Sequence, residues 1–206
     1  MIITLEDIGK RYNDHWIFRN MNVALTENSS CAILGSNGSG KSTLLKLLAG
    51  YVSPSEGAIV YSDQSEAIPS EKLFQHISFS APYMSLIDQF SLEEMVSYHV
   101  QFKGFINGMK TGEAIEALGL IEARGKYLKQ FSTGMLQRLK LGLAVLTDSS
   151  ILLLDEPIAN LDKNGIDWYF QIIEQYKQGR MLFICSNHRE EEYAMCQDSI
   201  EIENYK

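Results

Sequence analysis

The sequence predicts an α/β fold: a mainly parallel sheet core with an antiparallel β edge and an inserted helical lobe. Three observations carry that prediction. Short apolar runs alternate with helical patterns, a glycine-rich loop follows directly on one of those runs, and the opening residues alternate apolar and polar with period two. With 206 residues, 45% of them hydrophobic, the chain can bury a full core, and residues 1–206 read as one domain.

In chain order, "IITLEDI" and the alternating "IFRNMNVAL" read as half-buried strands, and "AIVYS" near Ile59 joins them as an antiparallel edge. "CAIL", "HISFS" from His76, "ILLLD" from Ile151 and "MLFICS" from Met181 are short apolar runs suited to the centre of a parallel, doubly wound sheet. Between Pro82 and about Leu146 the strand signals stop. Ser91 and Glu94 form a capping-box pattern before "MVSYHVQF", "FKGFINGMKTG" marks a turn, and a helical lobe is expected over approximately residues 83–146.

Composition narrows the function. Eighteen Lys plus Arg stand against 26 Asp plus Glu, a net charge of -8, so the chain lacks the electrostatic footprint of a general nucleic-acid binder. Its apolar runs fall well short of the roughly 20 residues needed to span a bilayer, and "MIITLEDIGKRY" lacks a signal peptide's apolar core. A cytoplasmic location is expected. Three widely separated cysteines, Cys31, Cys185 and Cys196, read as reduced and structural.

"GSNGSGKST" matches G-x-x-x-x-G-K-S/T between the strand "CAIL" and the helical "LLKLLAG", the context a phosphate-binding loop requires. Gly35, Gly38 and Gly40 let the backbone of Ser36, Asn37 and Ser39 bend so that its N–H groups face phosphates. Lys41 is expected at the β and γ phosphates, Ser42 at Mg²⁺ and Thr43 on the α-phosphate side. "ILLLDEP" then delivers Asp155 and Glu156 to a strand's C-terminal edge, where ligands of open α/β sheets sit. Asp155 is placed to hold Mg²⁺ or its water, and Glu156 to polarise a water for in-line attack. His188 follows "MLFICSN" at another strand end and is a candidate hydrogen-bond donor to the γ-phosphate or the attacking water.

A second anion-attracting feature lies in "QFSTGMLQRLKLGLAVL", where Ser132 and Gly134 stand at the mouth of a helix. Leu136, Leu139, Leu143 and Leu146 give that helix an apolar stripe, so a plainly capped core helix explains the residues as well.

Taken in order, "GSNGSGKS", "FSTGM", "LLLDEP", "ANLD" and "NH" resemble the motifs of the ATP-binding cassette family, the motor subunits of ABC transporters. The resemblance implies a P-loop NTPase (RecA-like) core, ATP and Mg²⁺ as cofactors, and ATP hydrolysis coupled to transport. It makes "FSTGM" the signature motif, with Ser132 and Gly134 capping the γ-phosphate bound to a second cassette, and it places Asp162 in the loop that communicates across that dimer. It maps Tyr12 onto the adenine-stacking aromatic, although an exposed ring there also reads as an ordinary surface tyrosine. The implied partners are a second cassette and a separately encoded transmembrane subunit, docked on the helical lobe beside "APYMSLIDQF", which would hold the chain on the cytoplasmic face of the membrane. The S-x-G-M variant is similar to exporter-type cassettes.

One departure stands out, because the family's glutamine after the strand "HISFS" is replaced near Pro82 and Gln89 lies too late to serve. A cassette ATPase acting on nucleic acid or ribosomes is the alternative, but its usual second cassette, coiled coil and zinc insertions are not in this sequence. A GTPase or P-loop kinase is a third reading: "DKNG" at Asp162 mimics D-x-x-G, without an N-K-x-D motif to read the base.

Overall fold

The computed structural model describes residues 1–64, 66–177 and 179–206. The chain divides into two compact units, one formed by Met1–Ile77, Ser150–Glu156 and Gly179–Lys206, the other by Ser78–Ser149 and Pro157–Gln178.

The first unit opens with β1 (Ile2–Tyr12) and β2 (His15–Thr26), an antiparallel pair. β3 (Ser30–Leu34) follows, and the phosphate-loop sequence leads from it into α1 (Lys41–Leu48). β4 (Glu56–Asp63) then pairs antiparallel with β1, and a short β5 (Glu66–Ala67) pairs with β4, which completes the predicted antiparallel edge. A short α2 (Leu73–His76) precedes β6 (Ile77–Ser80), which crosses the boundary to the second unit.

The parallel core of the first unit uses β7 (Ile151–Asp155), β8 (Met181–Ser186) and β9 (Asp198–Glu201) with β3, in the order β7-β8-β3-β9. Every residue of β3, β7 and β8 is buried, which is why these strands read as continuous apolar runs rather than alternating ones. α1 covers the sheet with Leu44, Leu45, Leu47 and Leu48. The parallel registers Asp155↔Cys185 and Leu34↔Glu201 bring the C-terminal ends of these strands out at one edge.

In the second unit, α3 (Leu92–Phe102) begins in the predicted capping box: Glu94 N–H donates to Ser91 Oγ at 3.2 Å and Ser91 N–H to Glu94 Oε2 at 2.7 Å. α4 (Thr111–Ala117), α5 (Thr133–Leu146) and α6 (Lys163–Tyr176) complete its framework. Gly142 of α5 permits a close approach to Leu118 at the end of α4, since a Cβ there would lie 1.8 Å from Leu118 Cδ2. The indole of Trp168 closes the same region by donating to the Ala117 carbonyl at 2.9 Å.

"REEEY" forms the single turn α7 (Glu190–Tyr193), where Glu190 and Glu191 are solvated but Glu192 is buried. Charge density along the run concealed the inward-facing position. Cys31 and Cys185 are buried in β3 and β8, and none of the three cysteines, all among the described residues, is in a disulfide. Burial pushes the Cys31 thiol up to about 12, so it stays protonated.

Candidate functional site

In the first unit, Gly35, Gly38 and Gly40 all adopt positive φ, at 150°, 79° and 118°. Gly40 is also sterically required, because a Cβ there would meet Ile17 Cγ2 at 2.3 Å. Ser36, Asn37 and Gly38 line the exposed bend, whereas Ser39 and Lys41 are buried. Lys41 Nζ donates to the carbonyls of Gly35 at 2.8 Å and Ser36 at 3.0 Å. Ser42 and Thr43 continue into the first turn of α1.

Asp155 ends β7, buried and hydrogen-bonded to Ser42. Burial raises its carboxyl above the usual carboxylate range, opposed by the Ser42 bond and the Lys41 charge. Its neighbour Glu156 leaves the strand with φ of 43°, a left-handed conformation held by its N–H donating to the Cys185 carbonyl at 3.0 Å. That turn keeps the Glu156 carboxylate partly exposed at the sheet edge. His188 lies two residues beyond β8, exposed and at φ of 57°. Tyr12 closes the β1–β2 hairpin opposite His15, 47% exposed, with Lys10 Nζ 5.0 Å from its ring centre.

These donors suit Mg²⁺ bound with a polyphosphate. Among the described residues no three His, Cys, Asp or Glu side chains gather to cage a metal alone. Ser42 and Asp155 offer two oxygen ligands, and Mg²⁺ commonly takes its remaining ones from waters and phosphate. The buried Ser39 hydroxyl makes no hydrogen bond inside the loop, as expected of a group whose partner is a ligand.

The second unit carries the other predicted residues. Ser132 is the N-cap of α5, its Oγ accepting from Met135 N–H at 3.2 Å. Gly134 faces the Asn160 carbonyl so closely that a Cβ would lie 3.1 Å from it. Asp162 caps α6 by accepting from Gly165 N–H at 2.7 Å. Ser132, Gly134, Asn160 and Asp162, with Lys126 and Arg138, line a cleft of about 480 Å³. Two helix N-termini and the cations Lys126 and Arg138 meet at this surface, together with the carboxylates of Glu122 and Asp162. At the departed glutamine position, the Pro82 carbonyl accepts from Lys140 Nζ at 2.6 Å.

Sequence reasoning did not find Glu203. Its carboxylate accepts from Ser36 N–H at 2.8 Å and Ser36 Oγ–H at 2.9 Å, at the start of the phosphate loop. No local motif marks it, because its position follows from the pairing of β9 with β3.

Phosphate loop, buried aspartate and strand-edge glutamate on a parallel sheet define a P-loop nucleotide-binding cassette. The sequence model of the ABC transporter family matches residues 18–159. The chain is 28% identical over 200 residues to the uncharacterized ABC transporter ATP-binding protein YcbN of Bacillus subtilis, covering 97% of this chain and 65% of that protein. It is 26% identical over 209 residues to the spermidine/putrescine import ATP-binding protein PotA of Clostridium acetobutylicum, covering 99% of this chain and 59% of PotA. It therefore spans less than two thirds of the length of either relative. Its fold is similar to that of the cassette MJ0796, solved as a post-hydrolysis dimer bound to ADP and Pi, with a TM-score of 0.81, 20% identity, and coverage of 97% and 93%. The chain belongs to the ABC transporter family.

Proposed function

We propose that the chain is the ATP-hydrolysing motor of an ABC transporter, binding Mg-ATP between two cassettes and driving a separately encoded membrane subunit. The observation that carries this reading is the pairing of the Ser42 hydroxyl with the buried Asp155 carboxylate beside Lys41. Ser42 and Asp155 would hold Mg²⁺, which would supply positive charge to offset that of the phosphates. Lys41 gives up two backbone carbonyls for phosphate oxygens, and the loop N–H groups beyond Ser36, whose own N–H is held by Glu203, cradle the remainder. Glu156, partly exposed beside Asp155, takes a proton from the attacking water, and His188 donates a hydrogen bond on the phosphate side.

Ser132 and Gly134 of a second copy cap the γ-phosphate, and Asp162 contributes across the same interface. The N-termini of α5 and α6 that meet at the cleft of the helical unit support that role, as does the dimer named for MJ0796. Tyr12 offers its exposed ring to the adenine. The lobe over approximately residues 83–146 receives the membrane partner, which holds the cassette at the cytoplasmic face. Export is supported by the Ser132–Met135 variant alone, and an importer-named relative among the matches weighs against reading direction from homology.

Glu156→Gln tests the mechanism: ATP hydrolysis is lost, nucleotide binding persists, and ATP traps a dimer visible by size-exclusion chromatography. Hydrolysis at the wild-type rate would remove Glu156 as the base. Affinity purification from detergent-solubilised membranes tests the partner; recovery without any polytopic protein counts against the transport assignment.

A further inference from the structure

We propose that Glu203 is a positioning residue for the phosphate loop, its carboxylate fixing the Gly35–Ser36 peptide so that the loop beyond it is presented to nucleotide. This rests on the nucleotide-binding reading above and adds a residue to it.

Topology brings the two segments together. β9 lies parallel to β3 with Glu201 opposite Leu34, so Ile202–Glu203 and Gly35–Ser36 leave the same sheet edge side by side. Ile202 is fully buried and anchors the 3₁₀ turn Ile202–Tyr205 that carries Glu203. The contact follows from strand register rather than from a freely roaming surface side chain.

The two ends of one peptide unit are gripped by opposite charges. The Gly35 carbonyl accepts from the Lys41 ammonium at 2.8 Å, while the Ser36 N–H donates to the Glu203 carboxylate at 2.8 Å. In a trans peptide these groups point in opposite directions, so a flip of the plane would break both bonds. The Ser36 hydroxyl adds a third bond at 2.9 Å. Residue 35 must lack a side chain for this to happen, since a Cβ would lie 2.6 Å from Glu203 Oε2 and 3.1 Å from Oε1. The bonds from Ser36 hold the Glu203 carboxyl below the usual carboxylate range, so it stays ionised at neutral pH.

A division of labour follows. When Lys41 turns to the phosphates it releases the Gly35 carbonyl, and Glu203 continues to orient that peptide. Without Glu203 the first bend of the loop gains conformational freedom that binding must then remove.

The test is Mg-ATP affinity, measured by calorimetry on the full chain, for wild type, Glu203→Ala, Glu203→Gln and Lys41→Ala. Glu203→Ala is expected to raise Kd by about threefold to tenfold, the scale of one or two exposed hydrogen bonds. Glu203→Gln, which keeps an acceptor for the Ser36 N–H, recovers most of the affinity. The melting temperature without nucleotide should change little in either variant, because the carboxylate is exposed. Wild-type or tighter binding by Glu203→Ala overturns the proposal, as does a large drop in its melting temperature that Glu203→Gln does not restore. If wild type and Lys41→Ala bind equally, the nucleotide-binding reading itself fails and takes this inference with it.

Discussion

Acid should loosen the helical unit at His99, and the effect can be sized from its surroundings. His99 lies half-buried in α3, its ring stacked on Phe105 at 5.5 Å and its Nε2 2.8 Å from Thr147 Oγ1. Thr147 donates its own hydroxyl proton to the Leu143 carbonyl at 2.6 Å, so Nε2 of His99 carries the proton in the pair between them. Burial, and secondarily the Lys103 charge, lowers the imidazole from 6.5 to about 4. The folded state therefore resists a proton that the unfolded chain accepts readily. The sign follows: the penalty is absent above the unfolded value and grows as pH falls through it, reaching its full size below the folded value. The full gap corresponds to about 3 kcal/mol, of which linkage places about 2 kcal/mol between about pH 7.5 and about pH 5. Urea unfolding of wild type and His99→Gln across that range isolates the term, since other titrating groups contribute equally to both. The glutamine amide can still donate to Thr147 and cannot charge, so the wild-type curve should fall more steeply by about 2 kcal/mol. Parallel curves, or an imidazole that titrates near 6 by NMR, would refute the reasoning.

Two further substitutions probe the helical unit. Gly142→Ala drives a methyl into Leu118 and should cost about 1–3 kcal/mol by urea unfolding, the usual penalty of overpacking; an unchanged midpoint would mean the α5 contact is not as close as described. Ser132→Ala removes the α5 cap at about 1 kcal/mol, whereas Ser132→Asp keeps a capping oxygen and adds charge. Stability should fall in the first and hold in the second, yet both should lose ATP hydrolysis. Wild-type turnover by Ser132→Asp would dissociate this turn from phosphate.

Much of the site is legible along the chain because its chemistry is local. A phosphate loop needs glycines at left-handed positions between a strand and a helix, and "CAILGSNGSGKST" states that in one run. The apolar run "ILLL" reads as a strand buried on both faces, which delivers Asp155 to the sheet edge. Ser91 with Glu94, and Ser132 before an apolar helix, announce their caps through hydrogen bonds spanning three residues.

Tertiary structure decided the contacts that join distant segments. Glu203 reaches Ser36 across 167 residues only because β9 pairs with β3 in one register. Lys140 finds the Pro82 carbonyl across 58 residues, and Gly142 is a glycine because of Leu118 on another element. Nor did the acid run at Glu190–Glu192 reveal which member turns inward. By itself the sequence determined which residues carry charge, where the phosphate loop bends and where elements such as α3 and α5 start, because those preferences are intrinsic to short peptides. Which charge meets which backbone group was settled by strand register and helix packing, since hydrogen bonds act over a few ångströms and nothing in linear order supplies that proximity.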